Sequence, residues 1–78
     1  MTADLPRALD LLEQGDWQAA HDIVETEDDT ASAWVHALVH KIEGDDWNAG
    51  YWYRRAGRER FKGTVSEEIA AIRAEIAG

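Results

Sequence analysis

Two histidines, His36 and His40, stand four residues apart, so on a helix they project from one face about one turn from each other. Glu43 continues that face. Neutral imidazoles at this spacing make half of a transition-metal site, with His21, Glu25 or Glu43 as third and fourth ligands. The ion would be a divalent one such as Zn²⁺, Ni²⁺ or Cu²⁺. A second reading makes the same residues partly buried histidines satisfied by carboxylates, backbone carbonyls or tyrosine hydroxyls. A histidine pair outside any strict motif leaves both readings open.

A second constellation follows at once. Trp47, Tyr51, Trp52 and Tyr53 crowd aromatic area into a short stretch, and Arg54 and Arg55 come directly after. Residues 47–63 set Arg54, Arg55, Arg58, Arg60 and Lys62 against Glu59, whereas residues 1–46 set twelve acids against Arg7 and Lys41. The chain is polarised along its length. An aromatic and arginine surface suits an acidic peptide, a phosphate or a single nucleic-acid strand. The alternative puts Trp52 or Tyr53 in the core and gives the arginines to the helix dipole and to pairing with the acidic half. The acids Glu25, Glu27, Asp28, Asp29, Asp45 and Asp46 also have two readings. They could imitate a phosphate backbone, as an acidic inhibitor of a nucleic-acid enzyme would, or serve as solvated loops and helix caps.

Catalysis finds little support. Ser32 and Ser66 lack a histidine and carboxylate companion in sequence, no glycine loop cradles phosphate, and no paired-carboxylate arrangement is recognisable. The expectation is a non-enzyme. With 78 residues the chain makes one domain, and without cysteine it has no disulfide framework or thiolate site. A formal charge of −8 makes nucleic acid and anionic membranes unexpected partners. Its 45% hydrophobic and 31% charged residues are too apolar for a disordered tail and too evenly mixed for a membrane span. The opening MTADLPRALD has neither a basic nor an apolar leader segment, so the expected location is the cytoplasm.

Helical periodicity must position these groups. Leu5, Leu9 and Leu12 form one stripe, with Pro6 in a first turn that needs no amide from it. Gly15 ends that helix and Asp16 caps a second, running from about Trp17 to Glu25. The acidic run 25–30 reads as a loop whose Asp29 or Thr30 caps a third helix carrying Ala31, Val35, Leu38 and Ile42. Gly44 ends it, Asp45 or Asp46 starts a fourth that continues to Gly57, and residues 58–63 connect onward. Thr64-Val65-Ser66-Glu67 is a capping box opening a fifth helix with the stripe Val65, Ile69, Ile72, Ile76. No segment alternates as a strand does. The fold class is all-α.

Placing Gly15-Asp16 over Gly44-Asp45 also superposes Ala8 on Ala37, Leu9 on Leu38 and Ala20 on Ala49, an offset of 29 residues. Each unit is a helix, a tight Gly-Asp turn and a second helix. Here the sequence resembles a tetratricopeptide or related helical-hairpin repeat, with Gly44-Asp45, Ala49, Tyr53 and Ala56 matching the glycine, small, aromatic and small positions of that family. The resemblance covers about residues 5–56. The period is shorter than the usual ~34 residues, Glu27 replaces a small residue, and His36 and His40 replace large apolar ones. The segment from Trp34 to Gly57 is also similar to a set of short microbial proteins, a likeness that implies no activity. The repeat register implies that His36 and His40 face the partner helix and that His21 meets the next unit, so that all three gather at one seam.

The expected architecture is therefore two antiparallel helical hairpins, about 5–26 and 30–57, closed by a capping helix at about 65–77. Two units leave apolar ends. The fifth helix is expected to cover one, and a second copy or another protein the other, led by Leu5, Leu9 and Leu12. The function this implies is a small non-enzymatic protein-interaction module, acting on a protein partner or as a homodimer. Its test residues are Trp47, Tyr51, Arg54, Arg55 and Arg58. The metal reading, on His21, His36, His40 and Glu43, is the alternative, and apart from its ion no cofactor is expected.

Overall fold

Each of the five helices begins on a side-chain oxygen. In the computed structural model, which describes residues 3–78, these are α1 (Leu5–Glu13), α2 (Trp17–Val24), α3 (Thr30–Glu43), α4 (Asp46–Arg55) and α5 (Val65–Ala77). Met1 and Thr2 of the MTADLPRALD opening lie outside the described residues. The carboxylates of Asp4, Asp16, Asp29 and Asp45 accept from the backbone amides of Arg7, Ala19, Ser32 and Asn48. At α5, Thr64 accepts from the amide of Glu67 while Glu67 accepts from the amide of Thr64, completing the capping box. Four acids of an acidic chain are thus spent on amides that the helices cannot satisfy internally.

The two Gly-Asp turns share one geometry. The amide of Asp16 donates to the carbonyl of Leu11 and that of Gly15 to Leu12, while Asp45 donates to His40 and Gly44 to Lys41. Gly15 and Gly44 take φ of 82° and 89°, the left-handed conformation such a helix ending demands. The chain then folds back, so that α1 packs on α2 and α3 packs on α4. The fourth helix closes at Arg55, two residues before Gly57.

α3 lies at the centre. Ser32 through Val39 are buried without a break, as befits a helix covered all round, and every other helix packs against it. The small faces Ala33, Ala37, Ala20 and Ala49 are fully buried where backbones approach. α5 packs on both α1 and α3. Leu5, Leu9 and Leu12, expected to need a second copy to cover them, are buried within the single chain. Arg73 of α5 reaches across to Asp10 at 2.7 Å and to Glu13, tying the helix over the α1 stripe. The open apolar end was a consequence of counting repeats. A non-repeat helix closes it instead.

Beneath α5 sits a fully buried carboxylate. Glu68 accepts from Trp34 Nε1 at 2.9 Å, from the hydroxyl of Tyr53, and from Lys41 Nζ at 2.9 Å. A buried carboxylate is tolerated only when paired and hydrogen-bonded, and here both conditions hold. Burial, with Glu68 alongside, holds the Tyr53 hydroxyl well above its ordinary pKa. The arrangement adds polar ties from α5 to α3 and α4 beside the buried Ile69 and Ile72. No helix among the described residues is long and apolar enough to cross a membrane.

Candidate functional site

Three imidazoles meet where α2, α3 and α4 come together. One ligand nitrogen of each of His21, His36 and His40 lies within 4.8 Å of the other two. The Nε2 atoms of His21 and His36 stand 3.1 Å apart. The His36 and His40 rings, one helical turn apart, lie 4.9 Å centroid to centroid, and the His21 ring meets them edge-on at 4.7 and 5.4 Å. Under the cluster, Trp52 of α4 stacks on His36 at 3.8 Å with the planes 12° apart. His36 is buried, while His21 and His40 keep part of their surface open to solvent.

Carboxylates back the outer two rings. His21 Nδ1 lies 3.3 Å from Glu25 and His40 Nδ1 lies 2.6 Å from Glu43. A carboxylate at Nδ1 holds the proton there and leaves Nε2 with its lone pair. Glu43 therefore orients His40 and does not sit among the three nitrogens. Burial, reinforced by the neighbouring His21 and His40, pushes the His36 pKa down to about 3. His36 is neutral at physiological pH. Its Nδ1 is a buried side-chain atom with no hydrogen-bond partner among the described residues.

The aromatic and cationic residues form a surface continuous with this cluster. From His36 the contact passes to Trp52, then edge-on to Tyr51 at 5.3 Å, then to Trp47, stacked on Tyr51 at 6.4 Å and 9°. Trp47 is 74% exposed. Arg55 donates to the Tyr51 hydroxyl at 2.9 Å and lies over the Tyr51 and Trp52 rings. Arg54 is exposed and has no ion-pair partner among the described residues.

Arg58 stands apart from that face. Its guanidinium lies 3.4 Å over the Trp34 ring and pairs with Glu75 at 3.0 Å, so it helps hold α5. Of the acids read as a possible phosphate imitation, Asp29 and Asp45 cap helices, Glu25 faces His21 and Asp46 pairs with Arg60. Glu27 and Asp28 alone of that set are left to solvent or the loop.

Two contacts were not read from sequence, that of Trp52 with His36 and that of Glu68 with Trp34, Tyr53 and Lys41. Trp52 lies three residues after Ala49, which packs against α3, so its contact with a histidine follows from the hairpin register. Glu68 lies three residues after Val65 and four before Ile72, on the apolar stripe itself. A charge on that stripe was the signal.

Comparison of the chain with protein-family models, curated proteins and solved structures returns no match. Fold and site alone define the class: an all-α protein in which helical pairs and a closing helix hold three imidazoles beside an aromatic and arginine face.

Proposed function

We propose that the chain is a small non-enzymatic interaction module of helical-hairpin type that holds an acidic segment of a partner protein on the outer face of α4. The observation that carries this reading is the company Trp47 keeps. A large indole left 74% exposed is stacked on Tyr51, and on the same helical face Arg54 offers a guanidinium with no ion-pair partner among the described residues, in a chain of net charge −8. Tryptophan and arginine are enriched among the residues that dominate protein-interface energetics, the indole through its wide apolar area and the guanidinium through its planar fork of donors. Arg54 and Lys62 also line one shallow depression beside Tyr53, together with Glu59 and the already paired Arg58 and Arg60.

A self-associating form has less to stand on, since α5 already covers the leucine stripe of α1. A cytoplasmic location belongs to the same proposal.

The test is fluorescence anisotropy with a labelled glutamate-rich peptide containing one aromatic residue, at low and at high salt. Binding weakened by salt, by Arg54→Glu and by Trp47→Ala, and unchanged in Gln14→Ala on α1, supports the reading. Equal anisotropy in all four proteins overturns it.

A further inference from the structure

We propose that His21, His36 and His40 form a binding site for a single divalent transition-metal ion. The fit begins with distance. Two nitrogens on a tetrahedral ion with bonds of ~2.0–2.1 Å lie about 3.3 Å apart, and the Nε2 atoms of His21 and His36 stand at 3.1 Å. Two imidazole nitrogens so placed need something between them, because bare lone pairs repel. A shared proton serves one pair. A metal ion serves three.

The tautomers agree with this. Glu43 accepts the Nδ1 proton of His40, which leaves its Nε2 free as the donor, and Glu25 lies 3.3 Å from Nδ1 of His21, the carboxylate–histidine arrangement that supports bound metals. One ring nitrogen of His40 lies within 4.8 Å of those of His21 and His36.

Electrostatics favour a cation as well. Asp22 and Glu25 cluster with His21, and Glu43 and Asp45 cluster with His40. Lys41, the cation nearest in sequence, is turned away onto Glu68 and the carbonyl of Phe61. The partly open edges of His21 and His40 give the ion its entry and leave a fourth position to water. An all-imidazole set of this kind suits Zn²⁺, Ni²⁺, Co²⁺ or Cu²⁺ and discriminates against Mg²⁺ and Ca²⁺, which require oxygen ligands. The site adjoins the α4 docking face, yet neither proposal depends on the other.

The experiment titrates untagged full-length protein at pH 7.5 with Zn²⁺, Ni²⁺, Co²⁺ and Mg²⁺ by calorimetry, with Cu²⁺ followed by tryptophan fluorescence. One-to-one binding of the transition ions with none for Mg²⁺ is expected, along with a raised melting temperature. Cu²⁺ is expected to quench the emission of Trp52, which stacks on His36. His21→Ala and His40→Ala, both partly exposed and so compatible with folding, each lower affinity at least tenfold. Glu25→Gln and Glu43→Gln lower it about tenfold through the ligand they orient. Gln14→Ala, exposed at the end of α1, leaves it unchanged. Absence of saturable one-to-one binding overturns the site, as does equal affinity in His21→Ala, His40→Ala and the unaltered protein.

Discussion

His36 and Trp52 stack face to face at 3.8 Å, a neutral imidazole sealed between an indole below and two more imidazoles above. That enclosure makes protonation costly. The folded state holds the His36 pKa at about 3 against an ordinary 6.5. The folded value lies below the unfolded one, so below pH 6.5 the unfolded chain takes a proton that the folded chain refuses. Stability from this group is whole above that pH and drains as pH falls toward 3, by at most ~1.4 kcal/mol per unit. The melting temperature is expected to fall between pH 6.5 and 5. His36→Phe, which keeps a ring against Trp52, flattens that stretch of the curve. A profile of the same slope in both proteins would show that other groups set it.

Below that window a different set of groups takes over. Hydrogen bonds from Asn48 hold Asp45 below its ordinary pKa, and the amide of Thr64 does the same for Glu67. These depressed carboxylates stabilise the fold above their unfolded values, near 3.8 and 4.5, and that contribution disappears as they are protonated. Asp45→Asn keeps a capping oxygen but removes the titration. It is expected to lose less stability between pH 5 and 3 than the unaltered chain, as followed by helical circular dichroism.

Glu68 carries the largest expected penalty. Its carboxylate satisfies Trp34 Nε1, the Tyr53 hydroxyl and Lys41 Nζ with no exposed surface of its own. Glu68→Ala leaves a lysine and two donors facing a cavity, a loss of about 3–5 kcal/mol. Urea denaturation measures it. The double variant Glu68→Leu with Lys41→Met removes both charges together and is expected to recover part of the loss. A single variant within ~0.5 kcal/mol of the unaltered protein would mean that the network is not a stabilising contact.

The parts legible from sequence were those governed by local rules. Gly15 and Gly44 marked the turns because left-handed backbone needs glycine, and Asp16, Asp29 or Thr30, Asp45 or Asp46, and Thr64 marked the helix starts because free amides need an acceptor, Asp29 and Asp45 being the caps used. The gathering of His21, His36 and His40 followed from superposing two turns 29 residues apart, which carries register across the seam. What local rules could not reach was the closure. Whether α5 lies over α1 or elsewhere depends on contacts such as Arg73 with Asp10, separated by 63 residues, and nothing in either segment names the other. Arg58 misled for a related reason: its charge marks a surface, yet its flat guanidinium lies against Trp34.

The turn at Gly44 allows a test of conformation free of packing. A Cβ built on Gly44 meets no atom within 4 Å, so space does not require glycine, and the φ of 89° alone does. Gly44→Ala therefore costs about 1 kcal/mol through backbone strain. Gly44→Asn costs less, since asparagine enters the left-handed region more readily. D-Alanine introduced by chemical synthesis is expected to stabilise, because it adopts positive φ without strain and narrows the unfolded ensemble. Melting temperatures ordered D-alanine, glycine, asparagine, alanine from high to low identify dihedral preference as the cause. An L-alanine chain as stable as the glycine chain would mean that this turn relaxes to another geometry, and the register that brings α4 beneath His36 would have to be held by packing instead.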